Sequence, residues 1–84
     1  MSFTIDDLTR IARESIGDPR LVLGEQMSAA DVPGWDSLNH TIITMTIGAE
    51  YGVELRPKRL GEARTFSELV AMVNMEIDAH RAAP

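Results

Sequence analysis

The sequence predicts an all-α fold, an irregular four-helix bundle of three longer helices and one short third helix, in a single domain over residues 1–84. Three observations carry this. Apolar residues recur at helical spacing along most of the chain. Helix-start residues and glycine stops bracket the periodic segments. Only Phe3, Trp35, Tyr51 and Phe66 are aromatic, so aliphatic side chains and five methionines must fill the core. Such a composition favours packed helices over a β-sandwich.

The first helix is expected over about 4–16. Ile5, Leu8, Ile11, Ala12 and Ile16 share one face, Thr4 and Asp7 resemble a capping box with Asp in place of Glu, and Gly17 is a stop. Asp6 and Asp7 complement the dipole of the first turn. Residues 17–36, "GDPRLVLGEQMSAADVPGWD", hold two prolines and three glycines and read as a long loop. Such length is uncommon in a compact domain and often functional. Leu21, Val22 and Leu23 are expected to pin the loop to the core, and "SAAD" to make one helical turn. Asp36 then caps a second helix over 37–51, with Ile43, Ile47 and Tyr51 as its stripe, Leu38 and Met45 beside it, and Gly52 closing it. Val53 and Leu55 alternate too briefly for a strand. Pro57 opens a short third helix over 57–62. Thr65 and Glu68 cap a last helix over 66–80, whose stripe is Phe66, Leu69, Val70, Val73 and Ile77. The tail "RAAP" should fray.

Size and charge narrow the function. A chain of 84 residues buries only about 60–65% of its unfolded surface, which leaves little room for a deep catalytic cavity. The net charge is −5 and the pI about 4.8, opposite to the basic footprint of nucleic-acid binding. The excess acid lies in residues 1–40, with seven acids and three bases, while Arg56, Lys58, Arg59 and Arg64 cluster in the second half. With no cysteine, disulfides, Cys metal sites and a Cys nucleophile are excluded. The start "MSFTIDDL" has no signal-peptide pattern, and no apolar run approaches the ~18 residues of a span. The expectation is a cytoplasmic monomer without membrane contact.

Chemistry concentrates at "VPGWDSLNH", residues 32–40. Ser37 falls in the first turn of a helix, where free N–H groups and the positive dipole end gather. Three readings compete: a nucleophile, an attachment point favoured by those N–H groups for a phosphate, or filler behind the cap Asp36. Ser37 and His40 are i,i+3 neighbours, so a serine–base pair is conceivable. "DSL" with "DAH" at 78–80 faintly resembles the GDSL hydrolases, but Trp35 stands where glycine belongs and Asp78 and His80 are too close. His40 reads as a solvated surface histidine. Glu76, Asp78 and His80 at the chain end make no convincing metal site. The run Arg56-Pro57-Lys58-Arg59 is either a solvated loop or a docking surface for an acidic partner.

At Gly34-Trp35-Asp36-Ser37-Leu38 the sequence resembles the acyl carrier and peptidyl carrier protein family. There, Asp-Ser-Leu opens the second helix after a long loop. The likeness extends to "EYGVEL" at 50–55 and to Arg64-Thr65-Phe66, and covers about residues 4–80. It implies a phosphoprotein in which Ser37 receives a 4′-phosphopantetheine arm from coenzyme A through a phosphopantetheinyl transferase. The arm's thiol would carry an acyl or aminoacyl thioester from a loading ligase to downstream synthases or transferases. The chain would then be a shuttle, itself no catalyst and no metalloprotein. Asp36, Leu38 and Trp35 would flank and position the arm. Asn39, Ile42, Met45, Arg56, Lys58 and Arg59 would face partners. Asn39, Ile42, Gly48 and Ala49 stand where fatty acid carriers have acids, and bases follow where they have Asp and Glu. These departures point to a specialised free-standing carrier using more apolar docking. The alternatives are a non-covalent helical interaction module and, remotely, a small serine hydrolase.

Overall fold

The protein is described here by a computed structural model over residues 2–82. Four helices follow in order: α1 (Ile5–Ile16), α2 (Ser37–Tyr51), α3 (Pro57–Leu60) and α4 (Phe66–Ala82). A single 3-10 turn, Ala29–Asp31, interrupts the long α1–α2 loop. No strand occurs among the described residues. The helix α1 packs on α2 and α4, and α3 bridges α2 and α4.

Local chemistry sets the ends of these elements. Thr4 is extended and stands outside α1 as its cap. Its Oγ1 accepts from Asp7 N–H at 3.2 Å, and Asp7 Oδ2 accepts from Thr4 N–H at 3.0 Å. Gly17 (φ 81°) and Gly52 (φ 65°) end α1 and α2 in the left-handed region, where a side chain would clash with the backbone. The third helix stops at Leu60 and does not reach 62. There Glu62 N–H turns to Arg59 O and Ala63 N–H to Leu60 O, tighter i→i−3 bonds that lead the chain into α4. The last helix is longer than its periodicity suggests. Arg81 and Ala82 remain helical, in keeping with their propensity. The rest of the expected fraying tail, residues 83–84, lies outside the described residues.

The core draws on every helix: Leu8 and Ile11, Ile43 and Ile47, Leu60, then Phe66, Leu69, Val73 and Ile77. Phe3 seals one end, 1% exposed and edge-on to Tyr51 at 5.5 Å. Asn74 holds Phe3 in place. Its Oδ1 accepts from Phe3 N–H, and its Nδ2 donates to Phe3 O, both at 2.8 Å. The loop is anchored by buried Leu21, Leu23 and Val32, whereas Val22, expected to help, is 68% exposed. Burial alternates residue by residue here: Leu21 and Leu23 turn inward together and Val22 turns out. The loop also serves α4. Its Met27 and Glu25 carbonyls accept from Phe66 and Ser67 N–H at 2.8 and 3.0 Å, and Thr65 Oγ1 accepts from Glu68 N–H at 3.2 Å. Three donors that a helix start leaves orphaned are thereby satisfied.

Asp7 links this packing to pH. Burial opposes its ionisation, but the hydrogen bonds from the Thr4 hydroxyl and Thr4 N–H, with the nearby Tyr51 hydroxyl and Arg10 guanidinium, outweigh it, and its carboxyl is held below the ordinary value. A carboxyl with a depressed folded-state pKa stabilises the fold above its unfolded pKa. That contribution disappears as pH falls through the folded value. Urea denaturation of wild type should therefore show stability declining through the carboxylate range. Asp7→Asn should be less stable at neutral pH and decline less steeply. Parallel pH profiles for the two proteins would contradict this role.

Candidate functional site

Ser37 is the first residue of α2, and the chain before it is built to hold it there. Asp36 is extended (φ −105°, ψ −175°), and its Oδ1 accepts from Asn39 N–H at 2.8 Å. The carboxylate next to Ser37 is thus occupied as an N-cap. Gly34 turns the chain at φ 91°, a region that favours glycine, and its carbonyl accepts from Asn39 Nδ2 at 2.7 Å. Asn39 Oδ1 in turn accepts from Ser15 Oγ at 2.9 Å. One half-buried amide thereby joins α1, the loop and α2. Both ends of Asn39, which the sequence suggests for partner contact, are used inside the molecule.

The Ser37 side chain is exposed and its Oγ makes no hydrogen bond with the described residues. The N–H groups of Ser37 and Leu38 belong to the first turn, where helix geometry offers no internal acceptor. The serine opens onto a cleft of about 580 Å³ between the starts of α2 and α4 and helix α3. Trp35, Leu60, Phe66 and Leu69 give it apolar walls, and Thr41, Lys58 and Thr65 also line it.

His40 does not sit free in solvent. It is half-buried, and Nδ1 accepts from the Trp35 indole N–H at 3.1 Å while Nε2 faces Pro57 O at 2.7 Å. A carbonyl can only accept, so Nε2 is the protonated nitrogen. Neither nitrogen has a lone pair left for the Ser37 proton, which counts against a serine–histidine nucleophile. Asp78 and His80 lie exposed in the last turns of α4 and do not line this cleft. Among the described residues, no group of three or more His, Asp or Glu could hold a metal, and no helix is long and apolar enough to cross a membrane.

Away from the cleft, α2 presents an uncharged seam to solvent. Leu38 is 68%, Ile42 42% and Met45 64% exposed. They recur at four and three residues, opposite the buried stripe of Ile43 and Ile47. Arg56, Lys58 and Arg59 are exposed around α3, without an ion pair among the described residues. Two of the departures from acidic carriers have internal causes. Asn39 is the junction just described. Gly48 is buried, and a Cβ there would lie 2.7 Å from Val53 O where the chain doubles back. Ile42 and Ala49 remain as exposed departures.

The Trp35–His40–Pro57 chain is absent from any helical pattern, because Trp35 precedes α2 and Pro57 follows it. The five-residue spacing of Trp35 and His40 across a cap is its only trace in the sequence. Neither a protein-family model nor a curated protein matches the chain. A solved structure does: the solution structure of holo acyl carrier protein from Geobacter metallireducens is 26% identical, with a TM-score of 0.80 over 96% of this chain and 93% of that one. With its four helices in the same arrangement, the chain has an acyl-carrier-protein-like fold.

Proposed function

We propose that this chain carries acyl or aminoacyl groups on a 4′-phosphopantetheine arm attached to Ser37, and delivers them to partner enzymes of a specialised biosynthetic pathway. The observation that carries the reading is the exposed, unbonded Ser37 hydroxyl at the first residue of α2, in a fold shared with a holo acyl carrier protein. The residues present fit such a group. Backbone N–H groups of the first turn favour an anion, Lys58 supplies a cation beside the cleft, and the apolar walls from Trp35 to Leu69 suit the arm. The arm supplies a thiol, of which the bare chain has none, to hold the cargo as a thioester. Tethering raises the effective concentration of cargo at a docked enzyme. Asp36 fixes the helix start and Trp35 shapes the wall. Leu38, Ile42 and Met45, with Arg56, Lys58 and Arg59, form the surface offered to the phosphopantetheinyl transferase, the loading ligase and the downstream enzymes.

Intact mass measured before and after incubation with coenzyme A, Mg²⁺ and a broad-specificity phosphopantetheinyl transferase tests this. One phosphopantetheine should be gained by wild type and none by Ser37→Ala. The variant should stay within about 1 kcal/mol of wild-type stability, because an exposed first-turn serine is not the cap. If wild type gains no mass while a control carrier is modified, the non-covalent interaction module takes precedence.

A further inference from the structure

We propose that His40 is a proton-operated latch on the wall of the cleft beside Ser37. The indole N–H of Trp35 can only donate, and the Pro57 carbonyl can only accept. The imidazole between them therefore satisfies both only as the neutral form with its proton on Nε2. In that form it ties together the end of the loop, helix α2 and the first residue of α3, three elements that all line the cleft.

A second proton would occupy Nδ1. Two donors would then face each other across the present 3.1 Å, and the Trp35 N–H would lose its acceptor. The Pro57 bond could persist, so the contact that must open is the one to Trp35. That ring is half-buried and leans on Phe66 with centroids 4.9 Å apart. Its displacement alters the cleft wall next to Ser37. The charged groups around the latch are few. Asp36, before α2, is the one carboxylate on the cleft wall, and it is engaged by Asn39 N–H. Lys58 of α3 is the one lysine or arginine there. The α4 residues on the cleft, Phe66 and Leu69, do not ionise, and neither do Thr65 before them and Ala29 of the loop. The latch stands on this geometry alone. That its opening changes how Ser37 and an attached arm are presented rests on the carrier reading.

The chain has one tryptophan and two histidines, which makes the test direct. Unmodified, isotopically labelled protein is titrated by NMR from neutral pH downward until the His40 ring has taken up its second proton. The Trp35 indole N–H and the His40 ring resonances are followed together. The indole signal should shift with the same midpoint as the His40 ring and exchange faster with water on the acid side. A His40→Gln side chain can accept from Trp35 and donate to Pro57 O but cannot ionise, so it should hold the indole in its neutral-pH position throughout. His80→Gln should leave the transition unchanged. An indole signal that stays still while the His40 ring titrates overturns the latch, and this comparison needs wild type alone. A transition that survives in His40→Gln overturns it equally. Arm loading is read separately by mass, so failure of the carrier reading would leave a titrating latch visible.

Discussion

Asn74→Ala should lower the stability of this domain by about 2–4 kcal/mol. The amide makes three bonds in one place: to Phe3 N–H, to Phe3 O, and back to Val70 O at 3.1 Å. Each such bond contributes about 1 kcal/mol net, and each half-buried backbone group left without a partner costs a further 1–3 kcal/mol or so unless water reaches it. What the amide restrains matters as much. Phe3 is fully buried, edge-on to Tyr51, and the next residue begins the Thr4–Asp7 cap of α1. Freeing the Phe3 backbone loosens the end of the core and the start of a helix together. A domain of this length has only about 4–13 kcal/mol in hand. The loss would therefore appear as a fall in Tm of about 10–25 °C. Asn74→Asp makes a sharper comparison. A carboxylate can still accept from Phe3 N–H but repels the Phe3 and Val70 carbonyls, so its deficit should shrink on acidification as the side chain regains a donor. An alanine variant within 0.5 kcal/mol of wild type, roughly the noise of a surface substitution, would show that the clamp is dispensable.

Asn74 also shows which parts of the structure the sequence could not announce. Its partner lies 71 positions away, and a single asparagine on a helix face has no periodicity to betray it. Elements fixed by neighbours were legible: Thr4 and Asp7 at one end of α1, Gly17 at the other, Asp36 before α2, and Gly52 after it. Each is a local matter of caps and left-handed glycines. The buried stripes of α2 and α4 were legible because helical periodicity reports burial directly. The errors arise where several segments converge. His40 has the spacing of a surface residue until Trp35 and Pro57 close on it. Asn39 looks available to a partner until Ser15 and Gly34 take its amide. Gly48 resembles a missing surface acid until the chain doubles back over it. Around Ser37, the position of the hydroxyl was therefore readable from its cap. The hydrogen-bonded scaffold that keeps it there was not, because it joins segments whose meeting depends on tertiary packing.

The second large effect falls on that scaffold. Gly34→Ala should cost about 2–4 kcal/mol and disturb the Ser37 turn. At φ 91° an alanine carries backbone strain of about 1–2 kcal/mol. Its Cβ would also stand 2.7 Å from Ile16 Cγ2. Ile16 cannot simply swing aside, since a β-branched side chain has one preferred χ1 in a helix, and forcing it off that rotamer costs roughly 0.5–1.5 kcal/mol. The remaining way to relieve the contact is to lift the loop from α1. That stretches the bond from Asn39 Nδ2 to the Gly34 carbonyl and shifts Trp35 and Asp36, the residues that place Ser37. Gly17→Ala is the matched control. Gly17 has a similar φ of 81° but nothing within 4 Å of its would-be Cβ, so that variant bears the strain without the collision. Urea denaturation should place Gly34→Ala clearly below Gly17→Ala, with Trp35 fluorescence altered only in the former. Adding Ile16→Ala to Gly34→Ala should make the pair cost less than the sum of the two single changes, because it removes the obstructing methyl. Equal stability of the two glycine variants, or strict additivity with Ile16→Ala, would mean that backbone conformation alone demands glycine at 34 and that the contact with α1 does not hold the Ser37 turn in place.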